Sequence, residues 1–431
     1  MRKLSIENIG PIKSICLDLK RINVIIGPQS AGKSCVLKIA CFCAWAEKRI
    51  QLEQGQNGFV DSEYLEENLI DFHKLQGYFE KGRGAKFRYE TEHLWLEYEY
   101  DKDENAFRFD WNQNGHWKYK RKRISYIPAE RNVVATVPNL IEVSMKHNNI
   151  RNFISDWLLT RNFYNKENKL NILDLGVKYY YDEKSGQDFI ELENGKILQF
   201  TNGSSGIQSA IPMLVYLGFL FENQYKPGQY EKIYLDSERE EILNHIYNEK
   251  FQYKIVNSED ITTPYIGKIG IGKRMFKSES EYKECKELFD AYTKTSNSDI
   301  YLEEPEQNLF PKAQIKFLYD ILSNSKKRND NIFIATHSPY ILYALNNAML
   351  AHYVKGDLIE EIKKEISCLD SECNPSEVAV WQIENGSIVG ISSENATIQD
   401  EKGLIRKNYF DNIMGDIMND FNNMLSFYGL E

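Results

Sequence analysis

The chain has 431 residues, and its 53 lysines and arginines against 63 aspartates and glutamates give a formal net charge of −10. This acidic balance argues against nonspecific binding of nucleic acid as the main activity. No run of 18 apolar residues is present and the first residues read as a strand rather than a leader, so we expect a cytoplasmic protein without a membrane partner. The seven cysteines lack metal-ligand spacing and are expected to be reduced thiols, mostly in the core.

The first predicted elements are strands at residues 4–9, 15–19 and 22–26, and the last of them leads directly into the sequence GPQSAGKS. A strand, a glycine-rich loop and a helix in this order are typical of a nucleotide phosphate loop, whose backbone N–H groups bind phosphate. Lys33 would reach the outer phosphates of ATP, and the Ser34 hydroxyl would ligate Mg²⁺. The residues predicted to contact the nucleotide are Gly27, Pro28, Gln29, Ser30, Ala31, Gly32, Lys33, Ser34 and Cys35.

Residues 86–127 alternate aromatic and polar side chains, which predicts antiparallel strands after a polar helical insertion at residues 51–84. Residues 117–123 within this region read WKYKRKR. The basic run either follows the phosphate backbone of DNA or forms the solvated edge of a hairpin that Lys and Arg protect from pairing. Both interpretations stay open on the sequence alone.

The middle of the chain changes from helix to strands and back to helix. A helical pattern at residues 139–168 is too short for a long coiled-coil arm, and three strands follow at 177–200 with a hairpin turn at Asn194–Gly195. The sequence NGSSGIQSAIP then opens a helix at residues 204–223, which predicts a second helix N-terminus able to bind an anion. A charged insertion at residues 227–298 has helices near 238–248 and 279–293 and a loop or strand pair at 267–272.

Two later buried strands each end in polar side chains that suit phosphate chemistry. Residues 299–311 read DIYLEEPEQNLFP, in which strand alternation would turn Glu303 towards Mg²⁺ and Glu304 towards an attacking water. Residues 331–342 read NIFIATHSPYIL, so His337 follows the second strand and could hydrogen-bond a γ-phosphate or the water beside it. The tail adds a helix near 339–350, an acidic helix near 356–366, a hairpin at 378–391 and an amphipathic helix at 411–428.

The order of these segments resembles the ABC-type ATPase heads, in which Walker A, signature, Walker B, D-loop and switch histidine follow one another. Within that group the chain looks most like the SMC, Rad50, RecF and OLD (overcoming lysogenization defect) branch. The motifs EEPExxLxP and THSPYIL resemble those of the OLD family. The resemblance covers residues 1–45 and roughly 195–345. It implies an α/β fold: an ATPase head with a mixed or parallel phosphate-loop sheet, an antiparallel β-subdomain and helical insertions.

The resemblance also assigns roles to individual residues. Glu303 takes the place of the Walker B aspartate and holds Mg²⁺, Glu304 is the catalytic base, and His337 is the switch histidine. Ser205, Gly206 and Gln208 fall on the signature, with Ile207 in place of a glycine. Phe310 departs from the D-loop pattern, because relatives have an aspartate or a histidine after the leucine. In the segment 124–132, where relatives place a glutamine, Glu130 or Arg131 either contacts Mg²⁺ or phosphate or makes a structural salt bridge.

OLD nucleases continue into a Toprim domain, whose carboxylates are not found after His337. The chain is therefore similar to stand-alone ATPase subunits of anti-phage systems such as PARIS and Septu. The resemblance implies a homo-oligomer of at least two copies, a separately encoded effector such as a Toprim or HNH nuclease, and a phage protein as trigger. A RecF-like or Rad50-like DNA-repair ATPase is the alternative. The expected domains are 1–48 with Walker A, 49–138 antiparallel, 139–224 with the signature helix, 225–298 inserted, 299–350 with Walker B and His337, and 351–431 as an α/β tail.

Overall fold

The computed structural model describes residues 2–55, 57–100, 105–113, 115–137, 145–226, 236–252, 265–270, 272–390 and 396–428. The turn predicted at residues 101–104 lies outside the described residues, as do parts of the helical pattern at 139–168 and of the insertion at 227–298.

The strands among the described residues form three sheets. They are β1 (Arg2–Ile9), β2 (Ile12–Leu19), β3 (Ile22–Ile26), β4 (Ala85–Glu90), β5 (Leu94–Tyr100), β6 (Asn105–Trp111), β7 (Lys122–Ile127), β8 (Leu170–Asn171), β9 (Val177–Asp182), β10 (Gln187–Leu192), β11 (Ile197–Gln199), β12 (Tyr265–Ile269), β13 (Gly272–Phe276), β14 (Asn297–Glu303), β15 (Asn331–Ala335), β16 (Val378–Glu384) and β17 (Ser387–Val389).

Helices of more than two turns cover both faces of the main sheet or lie in the insertion and the tail. They are α1 (Lys33–Glu53), α2 (Asn149–Thr160), α3 (Ser205–Phe221), α4 (Asp236–Tyr247), α5 (Glu279–Thr293), α6 (Pro311–Lys326), α7 (Pro339–Val354) and α8 (Tyr409–Leu425). Single α-helical turns are Ser62–Leu65, Val133–Thr136 and Glu360–Lys363. The last of these replaces the longer acidic helix predicted at 356–366.

The main sheet has 11 strands in the order β6-β5-β4-β1-β2-β17-β16-β3-β15-β14-β7. Its two parts differ in direction: β16, β3, β15, β14 and β7 are mutually parallel, whereas β2, β1, β4, β5 and β6 are antiparallel. The short strand β17 joins the parts, because it pairs antiparallel with β16 and parallel with β2. This mixed sheet with flanking helices confirms the α/β fold class that the sequence predicts.

The strand before the phosphate loop is buried on both faces, as expected for a central strand of a parallel sheet. Ile22, Val24 and Ile26 pack in the cluster that contains α3, α6 and α7, whereas Ile25 packs in the cluster that contains α1. Helix α1 therefore covers one face of the sheet and the other three helices cover the opposite face.

Two strands lie elsewhere than the sequence suggests. Strand β7 was predicted among the antiparallel strands, but it pairs in parallel with β14 at the far edge of the sheet. The hairpin of β16 and β17 was predicted in the tail, with the parallel sheet complete at His337, but β16 pairs with β3 in the centre of the sheet. Pairing between strands far apart in sequence decides both positions, and local patterns carry no information about it.

Three other predictions agree with the structure. A second sheet has the order β11-β10-β9-β8, with Gly195 at positive φ in its predicted hairpin turn. Residues 267–269 and 272 pair in the β12–β13 hairpin, in agreement with the predicted loop or strand pair. All seven cysteines are free thiols, and only Cys16 is exposed.

Helix α3 with the turn after it, Ser205–Tyr225, is long and apolar enough to cross a membrane by length and composition. Most of this segment is buried inside the protein, where it packs in the largest hydrophobic cluster. A core helix of a folded domain passes the same test, so the finding is weak evidence for a membrane span.

Candidate functional site

The phosphate loop joins β3 to α1 and is pressed against neighbouring backbone. Gly27 and Gly32 have φ of 145° and 103°, which side chains rarely adopt. A Cβ on Gly27 would lie 2.2 Å from the Ile383 carbonyl oxygen of β16, and one on Gly32 would lie 2.4 Å from Ile12 Cδ1. Only glycine therefore fits at either position.

Lys33 folds back over this loop instead of pointing into solvent. Its Nζ donates to the Gly27 carbonyl at 2.9 Å and to the Pro28 carbonyl at 2.7 Å, and the side chain is buried. Burial lowers the pKa of Lys33 to about 8, and the charges of Glu304 and Glu306 oppose this shift. Lys33 thus shares one electrostatic environment with both carboxylates.

The other loop residues differ in what they can offer a ligand. Gln29 and Ser30 are exposed at the tip of the turn, and Ser30 has a positive φ of 62°. Ser34 is partly exposed in the first turn of α1. The side chains of Ala31 and Cys35 are buried in the α1 cluster, so these two residues can reach a ligand only through their backbone N–H groups.

The two predicted carboxylates have different surroundings at the end of β14. Glu303 is buried and accepts a hydrogen bond at 2.8 Å from the Tyr126 hydroxyl of β7. Glu304 is more exposed and takes a left-handed backbone conformation, with φ of 44°, as its N–H donates to the Ala335 carbonyl at 2.9 Å. The strand ends at Glu303. The side chains of Glu303 and Glu304 therefore point in different directions because of this turn as well as because of strand alternation.

His337 lies between two carboxylates. Its Nε2 is 3.7 Å from Glu304 Oε1, and its backbone N–H donates to Glu306 at 2.5 Å. Burial, and secondarily the charge of Lys33, lowers the pKa of His337, which favours the neutral imidazole at pH 7. The Glu306 side chain is half-buried, and its desolvation raises its pKa; its Oε2 has no hydrogen-bond partner. Glu306 is the third glutamate of the EEPE sequence. That position is the sequence feature that could have identified it, but no role was assigned to it there.

Arg131 has a role that the sequence did not predict. Its guanidinium is fully buried and donates to the backbone carbonyls of Pro128, Ser209, Glu303, Glu304 and Pro305 at 2.8–3.3 Å. It therefore neither faces solvent, where a phosphate would bind, nor forms a simple salt bridge. Glu130 makes the structural pair instead, because it accepts from Lys74 Nζ at 2.7 Å on the surface.

The residues predicted to form the signature lie in the N-terminal turn of α3. Ser205 is exposed, Ile207 is buried, and Gln208 Nε2 donates to the Thr201 carbonyl at 2.7 Å. A Cβ on Gly206 would lie 2.6 Å from the Asn308 carbonyl oxygen, so the helix start touches the loop after Glu304. In the same loop the Phe310 ring is 79% exposed.

The site residues thus fall into two groups. The phosphate loop, Glu303, Glu304 and His337 meet at the carboxyl edge of parallel strands, as ligand-binding residues of open α/β sheets do. The signature turn belongs to the other group. No hydrogen bond or ion pair among the described residues joins Ser205 or Gln208 to the phosphate loop of the same copy.

The basic run at residues 117–123 is not the exposed edge of a hairpin. Tyr119 and Arg121 are buried, and the Arg121 N–H donates to the Ala291 carbonyl of α5 at 2.8 Å. Packing against the insertion therefore accounts for alternate residues of the run. Lys118 and Lys120 are exposed, so DNA binding through them stays a prediction.

No protein-family model matches the sequence, and no curated protein matches it. Among solved structures, the SMC head domain from Thermotoga maritima is similar at 10% identity over 90% of this chain and 98% of that one, with a TM-score of 0.36. The recombination mediator RecF in its ATPrS form has 11% identity over 90% and 97%, with a TM-score of 0.30. A Pyrococcus furiosus SMC head bound to a ScpA domain has 9% identity over 91% and 97%, with a TM-score of 0.35.

Proposed function

We propose that this protein binds ATP at the phosphate loop and hydrolyses it. The observation that carries the proposal is the convergence of Lys33, Glu304 and His337 from three separate parts of the chain, where the charge of Lys33 acts on the other two groups. Convergence of a phosphate-binding lysine, a carboxylate and a neutral imidazole is what positioning of water against a γ-phosphate requires.

The residues present fit Mg²⁺ as the partner of ATP. The Ser34 hydroxyl and the Glu303 carboxylate are oxygen donors, which this hard cation prefers, and Tyr126 occupies only one of the two carboxylate oxygens. Bound there, Mg²⁺ would neutralise charge on the β- and γ-phosphates. Lys33 would exchange its two carbonyl partners for phosphate oxygens.

Glu304 is proposed as the base that orients and deprotonates the attacking water. Its side chain is partly open to solvent, unlike Glu303, and it lies beside His337, which can hold the same water or the γ-phosphate. The strained left-handed turn aims the carboxylate, and the Arg131 hydrogen bonds to the neighbouring carbonyls hold that turn in place.

We infer further that the site is completed by a second copy. The predicted signature turn of α3 presents its backbone N–H groups at an exposed helix start, yet among the described residues no hydrogen bond or ion pair joins Ser205 or Gln208 to the phosphate loop of the same copy. An ATP molecule held between the loop of one copy and the signature of another would use both anion sites. ATP would then join the two copies, and hydrolysis would release them.

In the cell we propose a cytoplasmic sensor or scaffold ATPase of an anti-phage system, acting on a separately encoded effector nuclease after a phage protein triggers it. The resemblance of the EEPExxLxP and THSPYIL motifs to the OLD family supports this role. Toxicity would then require the effector and would disappear when Lys33 is replaced. The alternative is a RecF-like DNA-repair ATPase, for which the exposed Lys118 and Lys120 are the relevant feature.

The decisive experiment measures ATP affinity and Mg²⁺-dependent hydrolysis by the purified chain, with and without DNA, alongside mass in solution. We expect Lys33→Ala to lose ATP binding. The wild-type chain should self-associate when ATP is present. Absence of ATP binding by the wild-type chain would refute the proposal. Strong stimulation by DNA, lost in a Lys118→Ala, Lys120→Ala double variant, would favour the DNA-repair alternative.

A further inference from the structure

The C-terminal helix α8 lies in solvent along almost its whole length. Every residue from Asn412 to Tyr428 is exposed. The large apolar side chains on it are 44–86% exposed, namely Ile413, Met414, Ile417, Met418, Phe421, Met424, Leu425, Phe427 and Tyr428. Scattered exposed side chains are ordinary on a protein surface, but a contiguous apolar face on one helix indicates an interaction site.

The helix has little intrinsic reason to be stable without a partner. Between residues 412 and 425 it contains four asparagines, two aspartates and one glycine, which are weak helix formers. No lysine or arginine lies between residues 409 and 428, so intrahelical ion pairs cannot compensate. A solvated helix of 17 residues is marginal even with better sequences, so packing of the apolar face must supply the stability.

Only the start of α8 is fixed to the protein. Asn408 is buried and forms a capping box with Asp411, and the Tyr409 N–H donates to Gln382 Oε1 of β16 at 2.8 Å. The Tyr343 hydroxyl of α7 donates to Asp411 Oδ1 at 2.6 Å. The helix therefore projects from a rigid base that adjoins strand β16, against which the phosphate loop packs.

The apolar face has the spacing of a coiled-coil seam. Met414, Ile417, Phe421 and Met424 follow one another at intervals of three and four residues, the a and d positions of a heptad repeat, and Tyr428 continues the spacing in the turn after the helix. Such a seam is complementary to another helix that carries the same repeat. The exposed apolar side chains of α8 and of the turn after it amount to about 800 Å² of surface, which is what one partner contributes to a standard protein interface.

We propose that α8 pairs in parallel with α8 of a second copy of this chain. In a parallel pair Asp420, at a g position, faces Leu425 of the partner at the following e position, so aspartates do not oppose each other. An antiparallel pair with full overlap would set the two Asp420 side chains against each other. This association is independent of nucleotide and separate from the ATP-dependent contact proposed above.

The test is the mass of the full-length chain in solution without nucleotide, in a Lys33→Ala background that removes any ATP-driven association. We expect a concentration-dependent mass of twice the 50.4 kDa of one copy or a multiple of it. The double variant Ile417→Glu, Phe421→Glu should be monomeric, whereas the matched control Asn419→Glu, Asn423→Glu on the polar face should associate like the parent. All these positions are exposed. The melting temperatures of the parent, the double variant and the control should therefore agree at concentrations at which each is monomeric.

Cysteine crosslinking determines the orientation. Met414 of one helix meets Met414 of the other only in a parallel pair, so Met414→Cys should crosslink under mild oxidation while Asn419→Cys should not. A Lys33→Ala chain that stays at 50.4 kDa at the highest concentration attained, or a seam variant that keeps the parental mass, overturns the proposal. Equal crosslinking at positions 414 and 419 overturns the parallel arrangement.

Discussion

At the residue scale, the site depends on a few buried polar groups that hold a partly exposed glutamate in an unfavourable backbone conformation. Glu304 has φ of 44°, which costs a residue with a side chain of the order of 1 kcal/mol or more. Arg131 offsets this cost by binding the carbonyls of Glu303, Glu304 and Pro305. Arg131, some 170 residues earlier in the chain, therefore stabilises the turn at Glu303 and Glu304.

Replacing Glu304 tests its role as the base. We expect Glu304→Gln to bind ATP normally and to lose turnover by a factor of roughly 10² or more, since general-base catalysis contributes on that scale. The ATP-bound, associated form should accumulate. Single-turnover hydrolysis and equilibrium ATP binding measure the two effects. Undiminished turnover would show that another carboxylate is the base, and Glu306 is the next candidate.

Replacing Arg131 tests whether its hydrogen bonds to backbone carbonyls hold the turn at Glu304 in place. Arg131→Lys keeps the positive charge but cannot reach all five carbonyls, and each buried carbonyl left without a partner costs about 1–3 kcal/mol. We expect a clear loss of unfolding free energy in denaturant titrations, and kcat should fall more than ATP affinity because Glu304 is misplaced. Glu130→Gln is the control and should change little, as its ion pair is exposed. A kcat equal to that of the wild type in Arg131→Lys would argue against positioning by Arg131.

Asp330 supplies a test of pH-dependent stability. Its Oδ1 accepts from the Ser298 N–H at 2.6 Å, its Oδ2 has no partner, and burial raises its pKa from 3.8 to about 7. The folded state therefore holds a proton that the unfolded state releases, so stability falls between about pH 4 and pH 7 and then levels. Asp330→Asn keeps the acceptor without the charge. Its Tm relative to wild type should rise across that range, whereas exposed Asp357→Asn should show no such trend; a flat difference would contradict the assignment.

At the element scale, the carboxyl ends of β3, β14 and β15 bring the site together, and the C-terminal strand β16 shapes it. The Ile383 carbonyl of β16 closes the space beside Gly27, so the last third of the chain forms part of the phosphate loop environment. Helix α3 is attached to the same edge from the other side, through Gly206 against Asn308 and through Arg131 against Ser209.

The composite site can be tested by mixing two inactive variants. Gly206→Arg is unsuitable, because any side chain there would displace the Asn308 loop of its own copy. Ser205 is exposed, so Ser205→Arg should leave ATP binding intact while it abolishes ATP-driven association and hydrolysis. Ser185→Arg, at another exposed turn, is the control and should be active.

Lys33→Ala lacks binding but carries an intact signature. Mixing it with Ser205→Arg should restore part of the activity, because one of the two composite sites in a mixed dimer is whole. Mixed dimers that form but stay inactive would argue against a site shared between copies.

At the scale of the whole molecule, we expect a chain that hydrolyses ATP but does not cut nucleic acid. Cleavage by a Toprim-type site needs a cluster of carboxylates around one or two metal ions. Within the described ranges, no group of three or more His, Cys, Asp or Glu side chains is arranged to hold a metal ion.

Incubation of the purified chain with Mg²⁺ or Mn²⁺, ATP and plasmid, linear DNA or RNA should therefore leave every substrate intact. The contrary result is metal-dependent cutting that persists through purification and disappears when a carboxylate other than Glu303 and Glu304 is replaced. Such cutting would place a nuclease site in this chain.

The sequence by itself determined the features that depend on neighbours along the chain. The phosphate loop needs glycines at fixed intervals, the Asn194–Gly195 and Asn385–Gly386 turns need positive φ, and a strand followed by EEPE or THS delivers its polar groups at one place. Tertiary structure alone decided what depends on distant pairing: β7 and β16 in the parallel sheet, Arg131 bound to the turn at Glu304, Glu306 beside His337, and the basic run packed against α5. Local sequence fixes φ, ψ and side-chain period, whereas the burial of a charge depends on surfaces that meet only when the chain has folded.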